Sequence, residues 1–185
     1  MQEYGSIKQA VHALNNSGVI AYPTESVYGL GCNPFDRVAI DKVLAIKQRL
    51  FTKGFILIAS SWEQVDTLIQ PIKPELLAAI QASWPGPVTW VFPADPRLPN
   101  WLTGDRPTIA VRLTNHPDAK LICDMFAGPI VSTSANRSGE IPTRDRLSTE
   151  LLFGDEVDCI VTGKVGELTK PTPIFDACTG EQLRY

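Results

Sequence analysis

The sequence contains few residues of the kinds that build metal centres, disulfide bonds or catalytic triads. Its 185 residues include only two histidines, His12 and His116, and four cysteines, none spaced as Cys-x-x-Cys. This spacing does not fit a zinc site, so reduced thiols are the simplest interpretation of the cysteines. A Gly-x-Ser-x-Gly motif is also absent, and so few histidines leave a serine without a base. We therefore expect neither a protein-bound metal nor a serine-hydrolase triad.

Long apolar runs and an excess of positive charge are lacking as well. The most apolar run, residues 55–59, is too short to span a membrane, and the chain does not open with a basic segment followed by an apolar one. We expect a cytoplasmic protein that does not associate with membranes. The formal net charge of −3 argues against a surface devoted to nucleic acid, although it leaves room for a local basic cleft.

Two glycine-rich nucleotide-binding motifs are absent, the P-loop and the Gly-x-Gly-x-x-Gly that follows a strand. The chain instead shows a pattern of short apolar strands and amphipathic helices. Strands are predicted at 19–22, 55–60, 87–94, 108–113 and 129–133, and helices at 36–49, 74–84 and 117–128. Because the alternation is not strict, we predict an α/β domain with a mixed sheet, whose site lies where strands run into loops.

Four stretches place polar groups at the ends of apolar strands. In the first, YPTESVYGLGCN at 22–33, Thr24, Glu25 and Ser26 directly follow Pro23. Its glycines let the backbone pass close to a ligand. They fit a plain connection from a strand to a helix equally well.

The second stretch, KQRLFTKG at 47–54, carries Lys47, Arg49 and Lys53 at the end of a predicted helix. The helix dipole is a complete structural explanation, because cations near a helix C-terminus stabilise it by about 0.3–1 kcal/mol each. The functional alternative is that the three side chains surround one anion, such as a triphosphate.

The third stretch, TIAVRL at 108–113, contains an arginine inside an apolar strand. Strand alternation places Arg112 on the same face as Thr108 and Ala110, opposite the larger apolar side chains. If that face is buried, the guanidinium needs a partner. A substrate carboxylate and a structural Asp or Glu are both suitable partners.

The fourth stretch, PIVSTSANRSG at 129–139, begins as a buried strand and ends in hydroxyl groups. Alternation directs Ser132 and Ser134 to one face, and Asn136 follows. Because no base accompanies these serines, we expect them to hydrogen-bond a bound polar ligand and not to act as nucleophiles.

Together and in this order, these stretches make the sequence similar to the YrdC/TsaC family of threonylcarbamoyl-adenylate synthases. The resemblance covers almost the whole chain, and its most specific elements are Lys47-x-Arg49 and Ser134-x-Asn136. It implies the short form of the family, a single YrdC-like domain over residues 1–185. The implied fold is a twisted mixed parallel and antiparallel sheet, flanked by helices around a concave, positively charged cleft.

The resemblance also implies a reaction. L-threonine, bicarbonate or CO2, and ATP give threonylcarbamoyl-AMP and pyrophosphate, with Mg²⁺ accompanying ATP and no organic cofactor. A downstream transferase complex then uses the product to form the t6A modification at position 37 of tRNA. This chain would catalyse the first step.

The family's functional residues are carried over by resemblance. Those expected to bind threonine are Thr24, Ser26, Arg112, Ser132 and Thr172, and those expected to bind ATP are Arg49, Lys53, Thr108, Ser134 and Arg184. The catalytic set is Lys47, Arg49, Ser134 and Asn136. The sequence departs from the family at Ile58, where many relatives have a histidine that helps to bind threonine, and at Leu50, where a proline is common.

Two other functions are compatible with the sequence. One is a tRNA-binding or double-stranded-RNA-binding module without catalysis, whose basic surface would include Arg137, Arg144, Arg146, Lys164 and Lys170. The other is a transferase that consumes carbamoyl phosphate, a chemistry that the wider YrdC-like fold also serves.

Overall fold

The computed structural model describes residues 2–184, and within that range it describes the side chains of all residues except 2–4 and 51. The helices are α1 (Gln2–Asn15), α2 (Arg37–Lys47), α3 (Trp62–Asp66), α4 (Pro74–Ser83), α5 (Asn100–Thr103), α6 (Pro117–Phe126) and α7 (Arg146–Phe153). The strands are β1 (Ile20–Pro23), β2 (Tyr28–Gly31), β3 (Ile56–Ala59), β4 (Thr89–Pro93), β5 (Thr108–Leu113), β6 (Ile130–Ser134), β7 (Cys159–Ile160), β8 (Ile174–Asp176) and β9 (Gln182–Arg184).

Within residues 2–184 the strands form one nine-stranded sheet in the order β7-β1-β2-β6-β3-β5-β4-β8-β9. The pairs β1–β7, β3–β5 and β4–β8 are parallel, and the other neighbouring pairs are antiparallel. The predicted α/β domain with a mixed sheet is therefore confirmed.

Local sequence signals explain several element boundaries. Asp36, the first residue of the predicted helix 36–49, caps α2. Its side chain accepts hydrogen bonds from the backbone N–H groups of Val38 and Ala39 at 2.9 and 3.3 Å. Pro74 and Pro117 open α4 and α6, because proline tolerates the first turn of a helix. The stretch 22–33 is not a plain connection to α2, since it contains a second strand, β2, antiparallel to β1.

The two faces of the sheet are covered differently. On one face, Ile58 of β3 and Ile130 of β6 are buried in a cluster with Leu14 of α1 and Ile122 of α6. The opposite cluster includes Leu57 and Val131, which follow in alternation on the same two strands, together with Ile40 and Val43 of α2. Fully burying such aliphatic side chains contributes about 1.5–3 kcal/mol each, so both layers hold the sheet firmly.

The helices α1 and α6 cover only part of their face. Moving two residues along β3 and β6 on that same face leads from Ile58 to Ile56 and from Ile130 to Ser132. These two residues line an open cavity instead of packing under a helix. The candidate site is thus the part of this face that α1 and α6 leave uncovered.

Candidate active site

The cavity has a volume of about 490 Å³, within the usual range for small-molecule sites. Strand register defines its floor, in which Ser132 lies beside Ile56, and Ile56 beside Ala110. Arg112 lies two residues further along β5 and Thr108 two residues back, so their Cα atoms are about 13 Å apart at 3.3 Å per residue. The floor therefore has two ends, one at Arg112 and the other at Thr108.

A tight hairpin loop, residues 24–27, forms one wall. It joins β1 to β2, and both the backbone N–H and the hydroxyl of Thr24 donate to the Val27 carbonyl, at 3.1 and 2.8 Å. Thr24, Ser26 and Val27 line the cavity. The hairpin explains why small polar residues follow Pro23 directly: the chain must turn back within four residues while facing the cavity.

Arg112 marks the inner end of the cavity and is only 5% exposed. Its Nη2 lies 3.1 Å from Oε2 of Glu25, and its Nη1 donates to the Thr172 hydroxyl at 3.3 Å. The hydroxyl of Thr114 donates to the other Glu25 oxygen at 2.7 Å. Arg112 therefore has the structural carboxylate partner that the sequence left as one alternative, and it faces the cavity as well.

The other end carries the cations Arg49, Lys53 and Arg106. Nη2 of Arg49 donates to the Gly54 carbonyl at 2.6 Å, and its guanidinium lies over the Phe55 ring, 5.6 Å from the ring centroid. Within the described part of the chain, the buried Nε of Arg49 has no hydrogen-bond partner. Burial lowers the pKa of Arg49, and the nearby positive charge of Arg106 lowers it further. Cations gathered at one end of a cavity, with no carboxylate in the described lining, are suited to binding an anion.

Lys47 is not among the cavity-lining residues but lies against the end of β6. Its ammonium group donates to the carbonyl of Ser134 at 2.5 Å, and to the backbone and side-chain oxygens of Asn136 at 2.9 Å each. The Ser134 hydroxyl donates to the same Asn136 side-chain oxygen at 2.6 Å. Burial lowers the pKa of Lys47 to about 8, with Arg49 as a second cause. Lys47 and Asn136 therefore shape the segment that presents Ser134.

The last hairpin of the chain closes the cavity on another side. Thr172 and Arg184 both line it, and Nη2 of Arg184 donates to the Thr172 carbonyl at 2.7 Å. Burial lowers the pKa of Arg184, and Arg112 contributes to the same shift. The segment that leads into β8 thus brings Thr172, 60 positions away from Arg112, into contact with its guanidinium.

The structure brings together nearly all of the predicted site residues. Those that line the cavity are Thr24, Ser26, Arg49, Lys53, Thr108, Arg112, Ser132, Ser134, Thr172 and Arg184. Ile58, the departure from the family's histidine, is fully buried outside the lining. The sequence did not identify Arg106 as a lining residue, and it assigned Glu25 no role. The available signal was position, because Arg106 lies two residues before Thr108 and Glu25 directly follows Thr24.

A segment of seven residues, 162–168, holds the hairpin loop in place. The N–H of Gly166 donates to the Thr24 carbonyl at 2.9 Å, and that of Leu168 to the Glu25 carbonyl at 3.2 Å. A Cβ on Gly166 would lie 2.6 Å from the Glu25 carbonyl oxygen and 3.0 Å from its Cα. Only glycine allows the two backbones to approach this closely.

Replacing Gly166 with alanine should therefore displace the 24–27 loop. We expect the free energy of unfolding to fall by about 1–3 kcal/mol, as for other overpacked sites, and the affinity for a ligand bound in the cavity to fall with it. Thermal unfolding and ligand titration measure the two effects. Gly5→Ala is the matched control, since a Cβ there meets nothing within 4 Å. Equal behaviour of the two variants would contradict the assignment.

The cavity lining contains arginine and lysine but, among the described residues, neither aspartate nor glutamate. Within residues 2–184, no group of three or more His, Cys, Asp or Glu side chains is placed to hold a metal ion.

The described helices are also too short or too polar to cross a membrane.

The basic residues that would extend an RNA-binding surface are largely engaged within the chain. The guanidinium groups of Arg137, Arg144 and Arg146 donate to Glu156, to the Leu168 carbonyl and to the Thr162 hydroxyl, respectively. Of these three hydrogen bonds, the one to Glu156 joins opposite charges. Those to the Leu168 carbonyl and the Thr162 hydroxyl leave the positive charges of Arg144 and Arg146 in place.

Comparison with known proteins identifies the family of this chain. The model of the Sua5/YciO/YrdC family, described as "Telomere recombination", matches residues 12–184. A threonylcarbamoyl-AMP synthase of Coxiella burnetii (strain RSA 493 / Nine Mile phase I) is 55% identical over 179 residues, covering 97% of this chain and 96% of that protein.

Solved structures show the same fold. P. abyssi Sua5 complexed with L-threonine matches with a TM-score of 0.88 and 30% identity, over 95% of this chain and 52% of that one. E. coli YciO matches with a TM-score of 0.81 and 26% identity, over 97% of this chain and 90% of that one. This chain therefore spans about half of the Sua5 structure and most of the YciO structure.

Proposed function

Because this chain belongs to the Sua5/YciO/YrdC family, we propose that it is a threonylcarbamoyl-AMP synthase. It converts L-threonine, bicarbonate or CO2, and ATP into threonylcarbamoyl-AMP and pyrophosphate. Two relatives named threonylcarbamoyl-AMP synthase match this chain over nearly their whole length. A structural relative is described as complexed with L-threonine.

The reaction is a carbamate formation followed by an adenylyl transfer. The neutral amine of threonine attacks CO2, so that a C–N bond forms as one C=O π bond opens to a carboxylate oxygen, and the nitrogen loses a proton to water. A carbamate oxygen then attacks the α-phosphorus of ATP in line, and the bond to the β-phosphate oxygen breaks as pyrophosphate leaves. Three anions must meet: the threonine carboxylate, the carbamate and the triphosphate. A cavity lined by cations counters their repulsion.

Threonine is assigned to the Arg112 end. The guanidinium of Arg112 binds the α-carboxylate, and its Nη1 contacts the Thr172 hydroxyl at 3.3 Å. The hydroxyls of Ser26, Ser132 and Thr172 and the Thr24 side of the hairpin loop supply further polar contacts. Arginine suits this position because its planar donors match a carboxylate.

ATP is assigned to the Thr108 end. Arg49, Lys53 and Arg106 bind its phosphates, with Arg184 closing the cavity from the last hairpin and Thr108 and Ser134 donating from the floor. Mg²⁺ arrives bound to the triphosphate of ATP and is therefore part of the substrate, because the described lining has no carboxylate to hold a resident ion. Lys47 and Asn136 act by shaping the Ser134 segment. No covalent nucleophile is needed, which agrees with a lining of hydroxyls and cations.

The observation that carries this proposal is one cavity with a buried arginine at one end and a group of cations at the other. The test is pyrophosphate release by the purified chain with Mg²⁺-ATP and bicarbonate, with and without L-threonine. We expect release that depends on both threonine and bicarbonate, and detection of threonylcarbamoyl-AMP. A folded protein that binds tRNA but releases no pyrophosphate would refute the enzyme and support the RNA-binding alternative.

The reactivity of the product indicates which kind of protein must act next. A mixed anhydride of a carbamate with AMP hydrolyses readily, so a transferase that moves the threonylcarbamoyl group to tRNA must accept it promptly. We place the chain with that machinery in the cytoplasm.

Lys47 gives this activity a specific pH dependence. Below pH 8 its ammonium group supplies all three N–H donors to Ser134 and Asn136. As the pH rises through about 8, the lysine loses a proton and one of these hydrogen bonds. Because a hydrogen bond contributes about 0.5–1.5 kcal/mol, we expect the rate at saturating substrates to fall roughly 2- to 12-fold.

The pH profile of pyrophosphate release between pH 6.5 and 9.5 measures this effect. Deprotonation of the threonine amine acts in the opposite direction, since only the neutral amine attacks CO2. A Lys47→Met variant should be slower at every pH and should lack the falling alkaline limb. If that variant retained the limb, another group would be responsible.

A further inference from the structure

Glu25 forms a buried ion pair with Arg112 but does not belong to the cavity lining. Its side chain is 8% exposed, its Oε1 accepts from Thr114 at 2.7 Å, and its Oε2 is 3.1 Å from Nη2 of Arg112. Thr114 is itself anchored, because its hydroxyl accepts from the backbone N–H of His116 at 3.2 Å. A chain of contacts thus runs from His116 through Thr114 and Glu25 to the cavity.

The pair leaves part of the guanidinium unused. Within the described residues, neither the buried Nε of Arg112 nor Oε2 of Glu25 has a well-directed hydrogen bond, although the two groups are close. The carboxylate therefore holds the guanidinium mainly by charge, and Nη1 is fixed from the other side by Thr172 at 3.3 Å. An arginine restrained at both edges presents its remaining donors in one orientation.

We propose that Glu25 is a positioning residue for Arg112 and that Thr114 fixes Glu25 in turn. This inference rests on the proposed function, since it assigns the orientation of Arg112 to the threonine carboxylate. Through that orientation, Glu25 sets where the threonine nitrogen, and hence the carbamate, lies relative to the α-phosphorus of ATP.

Neutralising Glu25 removes a negative charge and also loosens the orientation of Arg112. The first change should favour threonine binding, and the second should slow the chemical step. The negative charge behind Arg112 repels a substrate carboxylate, so Glu25→Gln should leave the KM for threonine unchanged or lower it. Loss of orientation acts on the chemical step, where a misplacement of about 1 Å costs about 100-fold in rate. The expected signature is a single-turnover rate reduced about 10- to 100-fold at saturating substrates, without a rise in the KM for threonine.

Thr114→Val tests position without a change of charge, and it also removes the acceptor of the His116 backbone N–H. It removes the donor to Oε1 of Glu25 at nearly constant volume and leaves the Glu25–Arg112 charges in place. We expect a smaller loss of the single-turnover rate, about 3- to 10-fold, as for one lost hydrogen bond. Thr114→Ser, which keeps the hydroxyl, should remain closer to the wild type. Because the two sites are in contact, the double variant Glu25→Gln with Thr114→Val should lose less than the product of the single losses.

The experiment compares these variants with the wild type and with Glu63→Gln, an exposed glutamate on α3. It records the single-turnover rate of pyrophosphate formation, the KM values for threonine and ATP, and the melting temperature. Each rate is divided by the fraction of protein that binds threonine, so that unfolded protein does not lower the reported rate.

A normal rate in Glu25→Gln and Thr114→Val, with only the melting temperature lowered, would overturn the inference and leave a structural role. The same would follow if both KM values rose together. If the wild type itself neither bound threonine nor released pyrophosphate, the proposed function would fail first, so the two failures are distinguishable.

Discussion

Arg49→Ala is expected to reduce threonine-dependent pyrophosphate release about 100- to 1,000-fold, because one pre-oriented donor to developing charge is lost. Arg49 lines the proposed phosphate end of the cavity, and among the described residues its side chain makes one hydrogen bond, to the Gly54 carbonyl at 2.6 Å. Its remaining donors are therefore available to a triphosphate. Arg49→Lys keeps a charge but not the planar fork, and should recover only part of the rate.

The control for this prediction is Arg97→Ala, an 84% exposed arginine that is not in the cavity lining. Circular dichroism and thermal unfolding should show both variants folded, since Arg49 contributes no ion pair within the described residues. Pyrophosphate release by Arg49→Ala at the wild-type rate would remove Arg49 from the site.

Arg112→Ala should abolish threonine binding and also destabilise the fold. Removing one partner of a buried charge pair leaves the other uncompensated, which costs about 3–5 kcal/mol. Here the charge left behind is Glu25, which is 6% exposed. Loss of the carboxylate contact alone corresponds to about 2–5 kcal/mol of binding, or a fall of at least about 30-fold in threonine affinity.

The double variant Arg112→Ala with Glu25→Gln separates these two effects. Without the stranded carboxylate, a large part of the stability should return, while threonine binding stays lost. Calorimetric titration with threonine and chemical denaturation measure the two quantities. Recovery of threonine binding in the double variant would mean that Arg112 serves the fold and not the substrate.

In β5 and β6, strand alternation alone identified the side of the strand that carries the site. The side-chain period of two is a local property of extended backbone, so it placed Thr108 with Arg112, and Ser132 with Ser134, before any strand partner was known. All four residues line the cavity. The resemblance to a family then related stretches that lie far apart in the chain and implied a shared site.

Local pattern could not reveal which long-range contacts the polar residues make. Lys47 resembled a third phosphate-binding cation, but its ammonium reaches residues 87 and 89 positions away, behind Ser134. The direction of its side chain depends on how α2 packs against β6. No spacing within 47–54 contains that information.

The sequence by itself determined the α/β class, the mixed sheet, the faces of β5 and β6 that turn to the site, and ten of the residues that line it. Only the tertiary structure decided that Glu25 meets Arg112, 87 positions away in the chain, that Arg106 joins Arg49, and that Gly166 must lie against the hairpin loop. The physical reason is that periodicity follows from backbone geometry within a few residues. Contacts between distant segments depend on strand order and helix packing, which arise only when the whole sheet assembles.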